Sequence, residues 1–240
     1  MSSLIALIRT ILFYLAMASW TGIWTILMIL LIRLFPFHTR HGVFVKNWAI
    51  VTVSLCRWIC GVRWEVSGRE HIPEQPCVVV SNHQSTWETF FLQTLLTPQT
   101  QVLKQELLKI PFFGWALAST KPIAIDRSDV RKSLQQVREQ GKASLKNGVW
   151  VLIFPEGTRT LPGRLGKFTR GAAGLAHASE SDILPIAHNA GSYWPCNSWI
   201  KRPGTIQVAI GPTIKTQNLS VAEANDQTRD WIENALKEMK

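Results

Sequence analysis

His83 and Glu88 stand five residues apart in the stretch Val80-Ser81-Asn82-His83-Gln84-Ser85-Thr86-Trp87-Glu88-Thr89-Phe90-Phe91. An imidazole with one ring nitrogen held by a carboxylate is a general base. The carboxylate fixes the tautomer and stabilises the imidazolium that forms when the other nitrogen takes a proton. The spacing restricts how the two can meet. Along one α-helix, five residues turn through about 500°, leaving the side chains about 140° apart. They meet only if His83 lies on a loop and Glu88 lies in the first turn of the helix that follows. Ser85-Thr86-Trp87-Glu88 fits that arrangement as a capping box, with Ser85 as N-cap and Glu88 at the third helical position. A plainer reading stays open on this stretch alone, in which Glu88 only caps a helix and His83 is an ordinary loop histidine.

The elements that must position this pair alternate along the rest of the chain. Short apolar runs at 62–66, 77–81, 101–104, 122–125, 149–154, 183–187 and 206–211 read as strands. Helical patterns fall between them at 85–96, 105–110, 128–146, 171–178 and 221–240. This alternation predicts an α/β fold, a mixed and largely parallel sheet flanked by helices. Pro185 inside the run 183–187 predicts an edge strand or a bulge. In sheets of this class ligands gather where strands end. Arg127, after Ile125-Asp126, and Arg159, after Phe154-Pro155-Glu156-Gly157-Thr158, are thereby candidates for bidentate contact with phosphate. For each the alternative is an exposed ion pair of little energetic consequence.

Composition narrows the partners. The chain has 26 Lys and Arg against 16 Asp and Glu, a formal net charge of +10, and 11 Trp. Such a balance fits nucleic acid or an anionic membrane surface, and the N-terminus decides for the membrane. Residues 11–32 carry no charge and would form a helix of about 33 Å, long enough to span a bilayer. Trp20 and Trp24 fall in its middle rather than at the interfacial depth Trp favours. A second, amphipathic helix is expected at 43–60, carrying Lys46, Asn47 and Arg57. One spanning helix followed by an interfacial one, or a two-helix hairpin dipping into one leaflet, both fit. The expected division is therefore 1–61 for membrane binding and 62–240 for the α/β domain. Arg33, Arg40 and Lys46 on the C-terminal flank, against Arg9 on the other, place that flank in the cytoplasm. Cys56, Cys60, Cys77 and Cys196 follow no zinc spacing, and Cys56 and Cys60 read as packing residues.

Taken together, these stretches resemble the glycerolipid acyltransferase family over about residues 62–212. Asn82-His83-Gln84-Ser85-Thr86-Trp87-Glu88 matches its first motif, with Glu88 where most members have Asp. The segment 114–127 looks like the second motif, Phe154-Pro155-Glu156-Gly157-Thr158-Arg159 matches the third, and Ile183-Leu184-Pro185-Ile186 the fourth. The resemblance implies transfer of a fatty acyl chain from acyl-CoA or acyl-carrier protein to the sn-2 hydroxyl of 1-acyl-glycerol-3-phosphate, at the cytoplasmic face of a bacterial inner membrane. It implies His83 as base and Glu88 as its orienting group. Arg159 would hold the acceptor phosphate, with Arg127 and Lys104 as further basic contacts. Gly157, Thr158 and Glu156 would complete the acceptor site, with backbone N–H groups at 154–157 facing the oxyanion. No metal or organic cofactor is implied, and the partners are membrane lipids and the two substrates, with no nucleic acid. The same motifs would also serve another lysophospholipid or a lyso-amino-acid lipid, or a non-catalytic lipid-binding protein. The basic loop 159–170, with Arg164, Lys167 and Arg170 beside Phe168, reads either as a contact for anionic headgroups or donor phosphates, or as a solvated face.

Overall fold

Val78-Val79-Val80 is apolar at every position because helices cover both of its faces. A computed structural model describes residues 3–31, 34–110, 113–126 and 129–239. In it the strands are β1 (Val62–Ser67), β2 (Val78–Ser81), β3 (Gln99–Lys104), β4 (Ile123–Ile125), β5 (Trp150–Ile153), β6 (Ile183–His188) and β7 (Gly204–Ile210). Among the described residues they form one sheet in the order β1-β7-β6-β2-β5-β3-β4. From β6 to β4 every neighbouring pair is parallel. The β6–β7 pair is antiparallel, and β1 runs parallel to β7. The sheet is thus mixed and largely parallel, as the alternation predicted. Side chains alternate between two cores: Val79, Leu152 and Leu184 face one, and Val78, Val80, Val151 and Ile183 the other.

Pro185 does not mark an edge. Its strand, β6, is interior, between β2 and β7. The bulge reading fits: Ile186 pairs with Ile210 while Ile183 pairs with Ile214, so β6 advances three residues where the opposite chain advances four. The Pro185 carbonyl accepts from Gly211 N–H at 2.9 Å, within this irregular stretch of the ladder. The missing N–H of Pro185 therefore falls where regular pairing has already lapsed.

The helices are α1 (Ser3–Leu31), α2 (residues 37–60, with π-helical turns at His41–Lys46 and Cys56–Cys60), α3 (Trp87–Leu95), α4 (Phe113–Ser119), α5 (Val130–Lys146), α6 (Gly171–Ala178) and α7 (Val221–Glu238). Residues 105–109 form a 3-10 turn rather than the α-helix expected there. The short helix α4 has no counterpart in the sequence reading. Its seven residues include Gly114 and span less than two full apolar repeats, too few for the periodicity to register.

The helices α1 and α2 run antiparallel. Cys60 Sγ donates to the Arg9 carbonyl at 3.7 Å, Trp48 Nε1 to Thr21 Oγ1 at 3.1 Å, and Trp24 Nε1 to the Phe44 carbonyl at 2.8 Å. Trp20 Nε1 likewise donates to the Trp48 carbonyl at 3.4 Å. The two mid-segment Trp residues thus have a role that interfacial preference does not describe: their N–H groups tie the helices together away from water. Both helices are long and apolar enough to cross a membrane, which supports membrane association. The pair also packs on the sheet. Phe13 is fully buried edge-on to Trp194 at 5.2 Å. Lys201, buried without a carboxylate partner among the described residues, donates to Tyr14 Oη at 2.7 Å and lies between the Tyr14 and Trp194 rings. Burial pushes its pKa down to about 8, so the ring contacts and hydrogen bonds must hold the cation there.

At the end of β1, Gly68 has φ +77°, and a Cβ there would lie 2.0 Å from the Ile210 carbonyl oxygen. Gly68→Ala is expected to cost at least about 2 kcal/mol, from left-handed backbone plus displaced β7 backbone. A thermal melt in detergent should fall by about 5 °C; an unchanged melt would show that β1 and the end of β7 can separate freely.

Candidate active site

Five parallel strands deliver their carboxyl ends to one edge of the sheet. His83 follows β2, the turn 154–159 follows β5, Lys104 ends β3, Asp126 follows β4 and His188 ends β6. The loop His83 and the helix residue Glu88 meet as their spacing required. His83 Nδ1 lies 2.8 Å from Glu88 Oε1, with the His83 side chain 18% exposed and Glu88 fully buried. The carboxylate offers only lone pairs near neutral pH, so Nδ1 carries a hydrogen, and in the neutral imidazole the lone pair is then on Nε2. Phe154 stacks on the imidazole at 4.2 Å and 18°, which fixes the plane of the ring.

The capping box forms only in part. The helix begins at Trp87 with Thr86 as N-cap, and Thr86 makes no side-chain cap bond. Ser85 Oγ accepts from Trp87 N–H at 3.0 Å, while Glu88 Oε1 accepts from the backbone N–H of Gln84 at 3.0 Å and of Ser85 at 2.8 Å. Three donors, two from the backbone and one from His83, therefore converge on one oxygen. They draw the carboxylate back over the loop, and Glu88 is the second helical residue rather than the third. The capping and base-orienting readings are both satisfied by the same atom.

Burial pushes the Glu88 carboxyl up, but neighbouring His188 and His83 and the Ser85 N–H outweigh it and hold the group below the usual range. His188 is fully buried, and burial pushes its own pKa down. Its Nε2 donates to the Asn82 carbonyl at 2.8 Å and its Nδ1 accepts from Ala190 N–H at 3.3 Å, so the ring is neutral. Near pH 7 the stabilisation of the Glu88 carboxylate thus rests on His83 and the two amides.

Two more contacts set the loop. Asn82 donates to the His188 carbonyl at 2.9 Å and accepts from its N–H at 3.0 Å, extending the β2–β6 pairing through a side chain. Glu156 bridges two loops, accepting from His83 N–H at 2.8 Å through Oε1 and from Gly166 N–H at 2.7 Å through Oε2. Burial raises the Glu156 pKa despite these donors. Thr160 N–H donates to the His83 carbonyl at 2.8 Å.

The remaining expected residues are placed unevenly. Gly157, Thr158 and Arg159 are exposed on the turn after β5, and Arg159 Nη1 donates to Thr86 Oγ1 at 3.0 Å, at the start of α3. This brings Arg159 to the same helix terminus that carries Glu88. Gly157 has φ +68°, and its N–H is taken by the Phe154 carbonyl at 3.1 Å. With Pro155 lacking an N–H, the amides expected to face an oxyanion are not presented as a set. Glu156 acts on the loop, both its oxygens being occupied by backbone donors. Lys104 is exposed at the end of β3, in register with Ile125. Arg127 lies outside the described residues. Sequence reasoning missed His188 and the stacking of Phe154. A lone ionisable residue ending the apolar run 183–187, at the same sheet edge as His83, was the available signal.

Residues 63–189 match the family model described as Acyltransferase, a span that contains His83, Glu88, Glu156 and His188. The chain belongs to the acyltransferase family. It is 49% identical to the 1-acyl-sn-glycerol-3-phosphate acyltransferase of Pseudomonas aeruginosa, over 99% of this chain and 93% of that protein. It is 33% identical to the 1-acyl-sn-glycerol-3-phosphate acyltransferase alpha of Mus musculus, over 87% of this chain and 74% of that one. The crystal structure of the 1-acyl-sn-glycerophosphate (LPA) acyltransferase from Thermotoga maritima superposes with a TM-score of 0.82, covering 99% of this chain and 97% of that one at 21% identity. At that identity the match speaks for the fold, including the N-terminal helices.

Because backbone donors occupy both Glu156 oxygens, the expectation for an acyltransferase of this geometry is that Glu156 positions the loop rather than binds substrate. Glu156→Gln turns one of its two acceptors into a donor aimed at a backbone N–H. Acyl transfer should fall by about tenfold or more, since one such buried mismatch costs about 1–3 kcal/mol. The loss should appear in kcat, because the His83 loop shifts, with KM for either substrate little changed. A loss confined to acceptor KM would instead place Glu156 against the acceptor.

Proposed function

We propose that this chain transfers a fatty acyl group from a thioester to the sn-2 hydroxyl of 1-acyl-glycerol-3-phosphate, forming phosphatidic acid for phospholipid synthesis. The observation that carries the reading is the 2.8 Å contact between His83 and buried Glu88, which leaves the Nε2 lone pair as the site's base. Nε2 takes the hydroxyl proton as the oxygen attacks the thioester carbonyl. The tetrahedral intermediate collapses, the carbon–sulfur bond breaks, and the imidazolium returns the proton to the leaving thiolate. Glu88 stabilises the imidazolium while it exists. The thioester is already activated, so the reaction calls for no metal or organic cofactor. Arg159, beside the α3 terminus, holds the acceptor phosphate, with Lys104 at the end of β3 and the motif residue Arg127 as further cations.

In this reading residues 1–61 bind the membrane and residues 62–240 form the catalytic domain. The protein sits on the bacterial inner membrane with its site at the cytoplasmic face, where acyl-CoA and acyl-carrier protein are both available as donors. The test is an acceptor panel with purified protein in nanodiscs: lysophosphatidic acid, lysophosphatidylcholine, lysophosphatidylglycerol and a lyso-amino-acid lipid, each with oleoyl-CoA and with oleoyl-acyl-carrier protein. Preference for lysophosphatidic acid, lost in Arg159→Ala through a raised acceptor KM, is the expected result. Equal or better transfer to an acceptor without a terminal phosphate would overturn the choice of substrate.

A further inference from the structure

The turn that braces His83 also walls a second feature. Gly166, whose N–H binds Glu156, lines a cavity of about 490 Å³ between the loop 165–170 and the first turns of α7. Three cations line it, Lys167, Arg170 and Arg229, against one carboxylate, Asp226. Arg229 lies 3.6 Å from Glu233 on its own helix, a partly exposed pair that leaves the guanidinium accessible. Leu165 and Phe168 supply an apolar wall. Such a lining suits an anionic ligand that also carries a flat apolar part and hydrogen-bond donors for Asp226.

The location distinguishes among anions. Phe168 belongs to the core between the sheet and α5, α6 and α7. Phe13 of α1 and Val53 and Cys56 of α2 belong to the core on the opposite face. The cavity therefore opens on the side of the sheet away from the apolar hairpin, where a water-soluble ligand has access and a bilayer headgroup does not. It nonetheless adjoins the catalytic edge, since one carboxylate, Glu156, joins Gly166 in its wall to the backbone of His83.

We propose that this cavity holds the 3′-phosphoadenosine end of a CoA thioester, the donor in the transfer proposed above and resting on that reading. Lys167, Arg170 and Arg229 bind its phosphates. The adenine lies against Leu165 and Phe168, with its amino group or a ribose hydroxyl donating to Asp226. The pantetheine arm folds over the loop to present the thioester at His83. The arrangement gives part of the basic loop a ligand and explains why Lys167 and Arg170 lie around a concavity rather than on a flat face.

The test begins with binding alone, so it does not depend on turnover. Full-length protein in nanodiscs is titrated calorimetrically with adenosine 3′,5′-bisphosphate, and with Lys167→Ala/Arg170→Ala alongside. Binding that weakens by about tenfold in the double variant is expected, two charge-assisted contacts having been removed. The second arm compares oleoyl-CoA with its 3′-dephospho form. Wild type should lose about tenfold in kcat/KM on losing the 3′-phosphate, and the double variant should lose little more. No bisphosphate binding, or equal binding by the variant, overturns the proposal. So does a variant whose only defect is a raised KM for the lysolipid, weaker binding to anionic vesicles, or weaker use of acyl-carrier protein, each of which assigns the cations elsewhere. Bisphosphate binding with no phosphatidic acid formed would support the cavity and refute the reaction.

Discussion

His83→Ala should lower acyl transfer by about 10³-fold or more, the range associated with loss of a general base. The ring is partly exposed at the carboxyl edge, so its removal leaves the two sheet cores untouched. The variant should therefore keep its thermal melt to within a few degrees while losing turnover. It should also keep its KM values, because the imidazole acts on the proton in flight rather than on substrate binding. His83→Gln is the informative companion: its side-chain NH₂ can still donate to the Glu88 carboxylate, but it offers no basic nitrogen. Loss of activity in both, with folding intact, separates base chemistry from a structural role for the ring. An active His83→Ala would end the assignment of His83 whatever the acceptor.

Glu88→Gln is expected to cost about 10²–10³-fold in kcat with little change in KM, since the charge that steadies the imidazolium is removed. The amide oxygen can still accept from Gln84, Ser85 and His83 where Oε1 sits. The amide NH₂ then occupies the position of Oε2, which is buried and has no hydrogen-bond partner among the described residues. Stability should fall as well, and the pH dependence fixes its origin. The folded-state pKa of Glu88 is lowered from 4.5, so its charge contributes stability above that value, and the contribution is lost as pH falls through the folded pKa. Wild type and Glu88→Gln should thus differ most at neutral pH and converge below about pH 4.5. A gap that persists into acid would mean that packing around the amide, not the charge, sets the loss. Glu88→Asp keeps the charge but shortens the arm and should stay active; complete inactivity would show that the three-donor contact requires glutamate.

Much of this was legible in the sequence because local patterns and tertiary placement agree. All seven strands lie within two residues of the runs that marked them, and β2 is buried at every position, as its apolar run Val78-Val79-Val80 implied. The five-residue spacing of His83 and Glu88 forced a loop-then-helix arrangement, and a single rotation argument was enough to exclude a shared helix face. What the sequence did not show depends on contacts between distant segments. Pro185 lies in an interior strand because the chain opposite it carries an extra residue, a fact about register invisible in the run itself. Trp20 and Trp24 seemed misplaced until α2 supplied carbonyls at their depth. The N–H of Gly157 is consumed by a local turn, so a glycine that promised an oxyanion donor serves the backbone instead. Glu156 and His188 act on the loop from 73 and 106 residues away, and neither separation has a local signature.

The most direct measurement is acyl transfer from labelled oleoyl-CoA to 1-oleoyl-lysophosphatidic acid by wild type and His83→Ala, purified and reconstituted side by side, with the labelled position read by sn-2-specific lipase digestion. Label at sn-2 of phosphatidic acid with wild type, and none above background with His83→Ala, is the expected result. Label at sn-2 in both preparations, or a folded wild type that forms no phosphatidic acid, would contradict a His83-driven transfer from this donor to this acceptor.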